Sequence, residues 1–229
     1  MMKEKIRRKK MRVKQVIAVL SVVVTIFIYS AAVYAEDIEP IRLPAPQTEG
    51  GKPLMQTLKE RKSLREFSAK ELQLQVMSDM LWAACGINRP DTGGRTAPTA
   101  KNMQEIYVYV VKAKGTYLYD AKTNMLVPVL AGDIRAMTGK QSFVKDAPVN
   151  LIFVADFSRM GGMDIASKDF YSATDTGYIS ENVYLFCASA GLATVVRGWV
   201  DKPALEKVMK LGRNQKVILA QTVGYPKGE

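Results

Sequence analysis

Two short stretches of this chain carry side chains whose types and spacing could do binding chemistry. The first is Arg61-Lys62-Ser63-Leu64-Arg65-Glu66-Phe67, with three cations and a hydroxyl within five residues. Guanidinium, ammonium and hydroxyl groups this close together can hold an anion such as a phosphate through charge-assisted hydrogen bonds. Taken alone, such a stretch is more often a solvated basic turn. The second is Ala97-Pro98-Thr99-Ala100-Lys101-Asn102-Met103-Gln104, where hydroxyl and amide groups cluster beside a proline-fixed turn. These groups suit hydrogen bonding to the edge of a polar ring, and on its own the stretch also reads as an ordinary turn or helix start. Composition removes most other chemistries. The chain has no histidine, which excludes Ser-His-Asp and Cys-His nucleophile systems, an imidazole proton shuttle and every histidine-containing zinc or haem site. Cys85 and Cys187 are its two cysteines, 102 positions apart, too few for a thiolate metal cage. Neither Glu71 nor any other Asp or Glu forms a convincing carboxylate pair in the sequence.

The elements that must position these stretches follow from periodicity and punctuation. Pro53–Arg61 predicts a short helix with proline in its first turn, so the cationic stretch begins at a helix exit. Ser68-Ala69-Lys70-Glu71 has the form of a capping box and predicts a helix through Leu72, Val76, Met80 and Ala84 to Gly86. Ile87–Ala97 reads as a loop. Glu105–Lys112 alternates as a strand, Thr116–Tyr119 with Asn124–Val127 predicts a hairpin, and Asp133–Thr138 a short helix. Val149–Ala155, apolar but for Asn150, predicts a central strand. Thr176–Ala190 predicts an apolar helix closed by Gly191, followed by a strand at Thr194–Val200, a helix at Lys202–Leu211 and a last strand at Lys216–Val223. Strands and helices mix without a regular βαβ rhythm, which indicates α+β and not a doubly wound sheet. Trp82 is expected in the core, and Cys85 and Cys187, each on an apolar helix, as buried free thiols.

The 229 residues carry a formal net charge of +11, which invites a nucleic-acid reading. Its distribution argues otherwise. Residues 1–14 hold eight basic residues and one acidic residue, a net +7, and the next 21 residues, Gln15 to Ala35, carry no charge. A basic start, an apolar run and the small-residue ending Val33-Tyr34-Ala35 predict a secretory signal peptide over residues 1–35, with cleavage after Ala35; the alternative is an uncleaved N-terminal anchor. Export to the periplasm or cell envelope follows as an expectation. Without those 35 residues the net charge is +4, and no basic stretch with interleaved aromatics remains, so no nucleic-acid partner is expected. Residues 36–52, rich in Pro and Gly, read as an extended arm, and residues 53–229 as one domain.

The two stretches in this order, about 30 residues apart and separated by an amphipathic helix, resemble the FMN-dependent nitroreductase family. That family opens with Arg-x-Ser-x-Arg/Lys-x-Phe and follows it with Pro-Ser/Thr-x-x-Asn-x-Gln before the first core strand. Later parts fit as well: Asp175-x-Gly177 before an apolar helix ending Gly191-Leu192, Gln141 a little before Ala147-Pro148, Gly198 after a short strand, and the ending Val223-Gly224-Tyr225-Pro226-Lys227. Each motif is loose, but the ordered set runs from Leu54 to Lys227.

The resemblance implies a nitroreductase-like α+β fold, a central, mostly antiparallel sheet flanked by helices, and a homodimer with FMN at the interface. It implies that Arg61 and Ser63 hold the FMN phosphate and ribityl chain with Lys62 nearby. Arg65 would face the pyrimidine end of the ring, where a cation stabilises the charge that develops on reduction. Pro98, Thr99, Ala100 and Asn102 would line the flavin from the other subunit. Gln141 is implied at the ring edge, the backbone of Val195–Gly198 (Val196, Arg197 and Gly198) near the flavin, and Lys227 near the phosphate. The missing histidine agrees with this, since the flavin carries the chemistry and no side-chain nucleophile or acid–base pair is required. The expected activity is two-electron transfer by ping-pong from a small-molecule donor, NAD(P)H or another, to a nitroaromatic, quinone or similar acceptor. The alternatives are a flavin-dependent oxidase of peptide azolines and a non-catalytic flavin-binding protein. Ile87–Ala97 and Phe157–Asp175 are expected to shape the substrate face.

Overall fold

The computed structural model of the protein describes residues 1–2 and 38–228. The predicted signal segment and the first residues of the arm, Glu36 and Asp37, lie outside the described residues. Among the described residues, nine strands and four α-helices follow in chain order: β1 (Ile41–Arg42), α1 (Leu54–Glu60), α2 (Leu74–Cys85), β2 (Ile87–Arg89), β3 (Gly94–Arg95), β4 (Ile106–Lys112), β5 (Gly115–Asp120), β6 (Met125–Ala131), β7 (Val149–Asp156), α3 (Ile165–Ala190), β8 (Ala193–Arg197), α4 (Lys202–Val208) and β9 (Gln215–Gly224). Seven strands form one sheet in the order β1-β6-β5-β4-β7-β9-β8, and every pairing in it is antiparallel.

Strand β7 is the centre of the packing because both of its faces are covered. Val149, Leu151, Phe153 and Ala155 join a core cluster with Met80, Leu81 and Ala84 of α2 and Ile179, Val183 and Cys187 of α3. The alternate residues Ile152 and Val154 join Tyr109 and Val111 of β4 and Leu205 of α4 in a second cluster. A strand buried on both sides reads as a near-continuous apolar run, here interrupted only by Asn150, which is why its position was legible from sequence.

The N-terminal arm closes the far edge of the sheet. β1 pairs with β6, Leu43 is buried, and the Pro44 carbonyl accepts from Ser78 Oγ and from Asn124 Nδ2.

Helix α2 begins at Leu74 and not at the expected capping box. Ser68 Oγ instead accepts the Lys70 N–H at 3.2 Å, a local turn that competes with helix, and Glu71 forms an ion pair with Lys112 at 3.0 Å. Helix α3 starts eleven residues before the expected Thr176, capped by Asp164 Oδ1, which accepts the Ser167 N–H at 2.7 Å. Its first half buries Ser172 and Asp175, so no apolar period announces it. Half of the segment expected to shape the substrate face is therefore helical. Its end agrees with expectation: Gly191 has φ of 71°, a left-handed cap that glycine adopts without steric cost. The expected loop Ile87–Ala97 contains the small hairpin of β2 and β3, which pair with each other. Asp133–Thr138 contracts to a 3₁₀ turn at Arg135–Thr138, and the helix expected to reach Leu211 stops at Val208. Cys85 and Cys187 are free and buried, and burial pushes the Cys85 thiol up to about 11.

Replacing Phe153, fully buried at the centre of β7, by Ala should cost about 3–5 kcal/mol through the lost burial and the cavity left behind. Urea unfolding measures it, and a loss below about 1 kcal/mol would contradict this packing.

Candidate functional site

The cationic stretch begins where α1 stops. Arg61 caps the helix, its N–H donating to the Thr57 carbonyl at 2.8 Å. From there to Phe67 the backbone is held from outside. Leu64 N–H donates to the Thr194 carbonyl at 3.0 Å, Phe67 makes a β-bridge with Pro226, and Lys227 N–H donates to the Glu66 carbonyl at 3.3 Å. The C-terminal residues after β9 thus lie against Arg61–Phe67, which brings the expected Lys227 alongside.

Tyr184, on the buried face of α3, ties this stretch to β8. Its hydroxyl accepts the Val196 N–H at 2.9 Å and lies 2.8 Å from Ser63 Oγ. The backbone N–H must be the donor in the first bond, whereas in the second either hydroxyl can donate, since the phenol oxygen can accept twice. Either way one proton of the Ser63–Tyr184 hydroxyl pair is left to donate to a ligand. The Arg61 guanidinium lies 5.3 Å from the centre of the same ring. Lys62 and Leu64 line an open pocket of about 630 Å³ together with Lys59, Thr194 and Pro226. The ion pairs among the described residues use other groups, so Arg61, Lys62 and Arg65 have no carboxylate partner there. A cluster of unneutralised cations with a hydroxyl donor suits a phosphate.

The side chain of Arg197 turns inward, although only its backbone was expected to contribute. It is 4 % exposed and donates to the Thr138 carbonyl at 2.6 Å and to Asn150 Oδ1 at 2.9 Å, while its Nε has no acceptor. Burial lowers its pKa to about 10. Asn150 Oδ1 also accepts from Thr222 Oγ1, and its Nδ2 donates to the Val144 carbonyl, so its amide joins β7, β9 and the turn before β7. Gly139 is required here, because a Cβ would collide with the Arg197 guanidinium. Lys140 N–H donates to the Trp199 carbonyl at 3.0 Å, which zips the Gly139–Gln141 turn to the residues after β8 and brings Gln141 towards Gly198. Gln141 Oε1 is buried without a hydrogen-bond partner.

The Pro98–Gln104 turn stands apart from this group. Lys101, Asn102 and Gln104 all have positive φ, 52°, 54° and 50°, which non-glycine residues adopt only at a cost. The turn is held by Gln104 N–H to Thr99 Oγ1 at 3.1 Å and by Ala100 N–H to Asp175 Oδ2 at 2.9 Å. Asp175 lies nine residues before Tyr184 on α3, about 13 Å along the axis. Pro98, Thr99, Ala100 and Asn102 do not line the pocket beside Lys62.

The sequence reading missed Tyr184, Asn150 and a buried carboxyl pair. Glu105, fully buried, lies beside Asp175, and burial first, then Asp175, pushes its carboxyl up to about 7. The expectation that no Asp or Glu pairs is corrected here: 70 residues separate these two in the chain, and only the packing of α3 on the start of β4 unites them. A usable signal existed for Asp175 and Tyr184, polar residues in register with Ile179, Val183 and Cys187 on a buried face. Trp82 is half-buried, its indole donating to the Ile87 carbonyl, and Trp199 is exposed.

Comparison with known proteins gives a consistent result. Residues 58–225 match the family model described as the nitroreductase family. A Methanocaldococcus jannaschii protein provisionally named a nitroreductase is 31% identical over 169 residues, covering 69% of this chain and 84% of the relative. The crystal structure of a protein from Ralstonia eutropha, also provisionally named a nitroreductase, superposes with a TM-score of 0.80 at 44% identity, covering 87% of this chain and 94% of that one. The NADPH:FMN oxidoreductase from Vibrio harveyi, solved with NAD+, has a TM-score of 0.58 at 19% identity, covering 76% of this chain and 69% of that one, a likeness of fold. The expected α+β architecture is the one the chain has.

Tyr184→Phe keeps the ring beneath Arg61 and removes both hydroxyl contacts. It should cost about 1–2 kcal/mol in chemical denaturation, because the Val196 N–H loses its acceptor in a part-buried site. A cost below about 0.3 kcal/mol would show that the hydroxyl is not the tie described.

Proposed function

This chain belongs to the nitroreductase family, a family of oxidoreductases, and on that premise we propose that it is an FMN-dependent enzyme working as a homodimer. A reduced donor and an electron-poor acceptor, a nitroaromatic or quinone, react at its site in turn. The observation that carries this reading is the cationic stretch: Arg61, Lys62 and Arg65 have no carboxylate partner among the described residues, and the Ser63–Tyr184 hydroxyl pair keeps one proton to donate. Those groups fit a phosphate-bearing cofactor. The buried Gln141 Oε1, an acceptor without a donor, fits the N–H edge of a flavin ring.

FMN, when bound, supplies hydride acceptance and donation at N5. Arg61 and Ser63, with Lys62, hold the phosphate and ribityl chain, and Lys227 approaches them from the C-terminal side. Arg65 stabilises negative charge at the pyrimidine end of the ring. The backbone of Val196–Gly198, fixed by Tyr184 and by the Arg197 side chain, supports the ring. Pro98, Thr99, Ala100 and Asn102 come from the second subunit. Support for the dimer is that the turn and the cationic stretch hang on α3 about 13 Å apart and share no pocket. Exposed apolar residues on α1 (Leu54, Met55, Leu58) and α3 (Phe170, Tyr178) are surfaces of the kind such an interface covers. Export, read from residues 1–35, completes the proposal and leaves the physiological donor open to compounds other than NAD(P)H.

The purified protein should be yellow with flavin absorption or take up added FMN, bleach with NADH or NADPH without oxygen, and regain its colour with a nitroaromatic. A colourless protein that takes up no FMN sinks the flavin assignment, and bound flavin that no donor reduces would indicate a binding protein. Arg65→Ala should weaken FMN binding about tenfold or more, the loss of one charge-assisted contact, and lower the flavin potential. Unchanged values of both remove Arg65 from the site.

A further inference from the structure

The buried pair Glu105 and Asp175 has no place in the function proposed above, and its surroundings are unusual. Glu105 is 0 % exposed, and neither of its carboxyl oxygens has a donor. Asp175 is 2 % exposed and spends Oδ2 on the Ala100 N–H. The charged groups that face Glu105 are Asp175 from α3 and Arg159 from the 3₁₀ turn Phe157–Arg159, and Arg159 directs its Nε to the Met103 carbonyl at 3.1 Å. The hydroxyl of Thr176, next on α3, is buried without a partner. Neither carboxyl forms an ion pair among the described residues.

Two adjacent buried carboxylates cannot both be ionised without a large penalty, and an ionised carboxylate with no donor is poorly tolerated in a protein interior. If Glu105 carries a proton, its O–H donates to Asp175, whose Oδ2 accepts from the Ala100 N–H. The Glu105 hydroxyl oxygen then has a partner, and its other oxygen becomes the carbonyl of a neutral carboxyl, which costs less to bury than a carboxylate.

We propose that Glu105 and Asp175 share one proton and act as a positioning pair that holds the Pro98–Gln104 turn in its left-handed conformation. The Ala100–Asp175 bond is the tie between that turn and α3, and the positive φ values of Lys101, Asn102 and Gln104 make the turn dependent on it. A second negative charge on Glu105 repels Asp175 and loosens the tie. The consequence for flavin binding rests on the reading of this turn as a flavin contact; the effect on the turn itself does not.

The direction of the pH effect follows from the position of Glu105. Burial, then Asp175, raises its carboxyl to about 7, with its own backbone N–H, close by but outside hydrogen-bond geometry, and Arg159 acting the other way. In an opened turn, exposed to water, the carboxyl returns towards its ordinary value. Proton linkage then favours the closed turn at acid pH and withdraws that support as the pH climbs through about 7.

Hydrogen exchange of the Ala100 amide in the full chain tests this without any ligand. Corrected for intrinsic exchange, its protection should fall about tenfold between pH 6 and pH 8 in the wild type. Glu105→Gln, isosteric and unable to ionise, should make it pH-independent. FMN affinity, followed by quenching of flavin fluorescence, should weaken over the same range in the wild type and not in Glu105→Gln. Should that variant fold poorly, the carbon-13 titration of the Glu105 carboxyl in the wild type remains decisive. A midpoint near 7 supports the shared proton, and one in the ordinary carboxylate range overturns it. Protection of Ala100 that ignores pH overturns the proposal even if FMN binds. Protection that follows pH in a protein that never binds FMN supports the positioning pair and faults the flavin reading instead.

Discussion

Three segments of the candidate site, the cationic stretch, the Pro98–Gln104 turn and β8, are tied to the buried face of α3 by polar contacts, and the arrangement depends on that constraint. A helix packed against a sheet ordinarily buries an apolar stripe. Here the stripe mixes Ile179, Val183 and Cys187 with Ser172, Asp175, Thr176, Ser180 and Tyr184. Most of these polar groups have assigned partners: Asp175 takes Ala100 N–H, the Ser180 carbonyl takes Gln221 Nε2, and the Tyr184 hydroxyl engages Ser63 and Val196. Because a buried polar group without a partner is costly, these contacts hold each loop at a set height along the helix. The helix is a ruler as much as a packing element.

The sheet supplies the rigid counterpart. β7 is covered on both faces, and its neighbour β9 delivers the chain end at Pro226 and Lys227 to the cationic stretch. β8, at the sheet edge, pairs only with β9, so its outer side is free to receive Tyr184 from above and the Lys140 N–H from beyond its end. Arg197 makes this edge unusual. A buried guanidinium with no carboxylate partner among the described residues is tolerated through two hydrogen bonds and the aromatic ring of Phe143, whose centre lies 6.0 Å away. Phe143 in turn lies 5.5 Å from Phe67, so the packing around Arg197 continues into the cationic stretch. A positive charge under β8 and an acid pair under the Pro98–Gln104 turn give the two parts of the site opposite electrostatic characters.

Much of the architecture was legible because it rests on local patterns. The run Val149–Ala155 could be nothing but a doubly covered strand or a short buried helix, and its β-branched content selects the strand. Gly86 and Gly191 mark the ends of α2 and α3 as expected. Errors arose where polar residues serve two roles. Ser68 and Glu71 look like a capping box, but Ser68 closes a local turn and Glu71 prefers Lys112 across the structure. Ser172 and Asp175 look like a loop, but they belong to the polar part of a buried helical face. Among site residues, Arg61, Lys62, Ser63 and Arg65 were legible as a charge cluster, since density of cations survives in one dimension.

The sequence by itself determined the α+β class, the family, the cationic stretch and the absence of imidazole chemistry, because each depends on composition or on residues close together in the chain. Tertiary structure decided which groups are buried and what they face. Tyr184 meets Ser63 across 121 positions, Thr222 meets Asn150 across 72, and Ala100 meets Asp175 across 75. No periodicity encodes such pairs. They exist because burial withdraws water from a polar group and leaves it to find its partner wherever the fold has brought one.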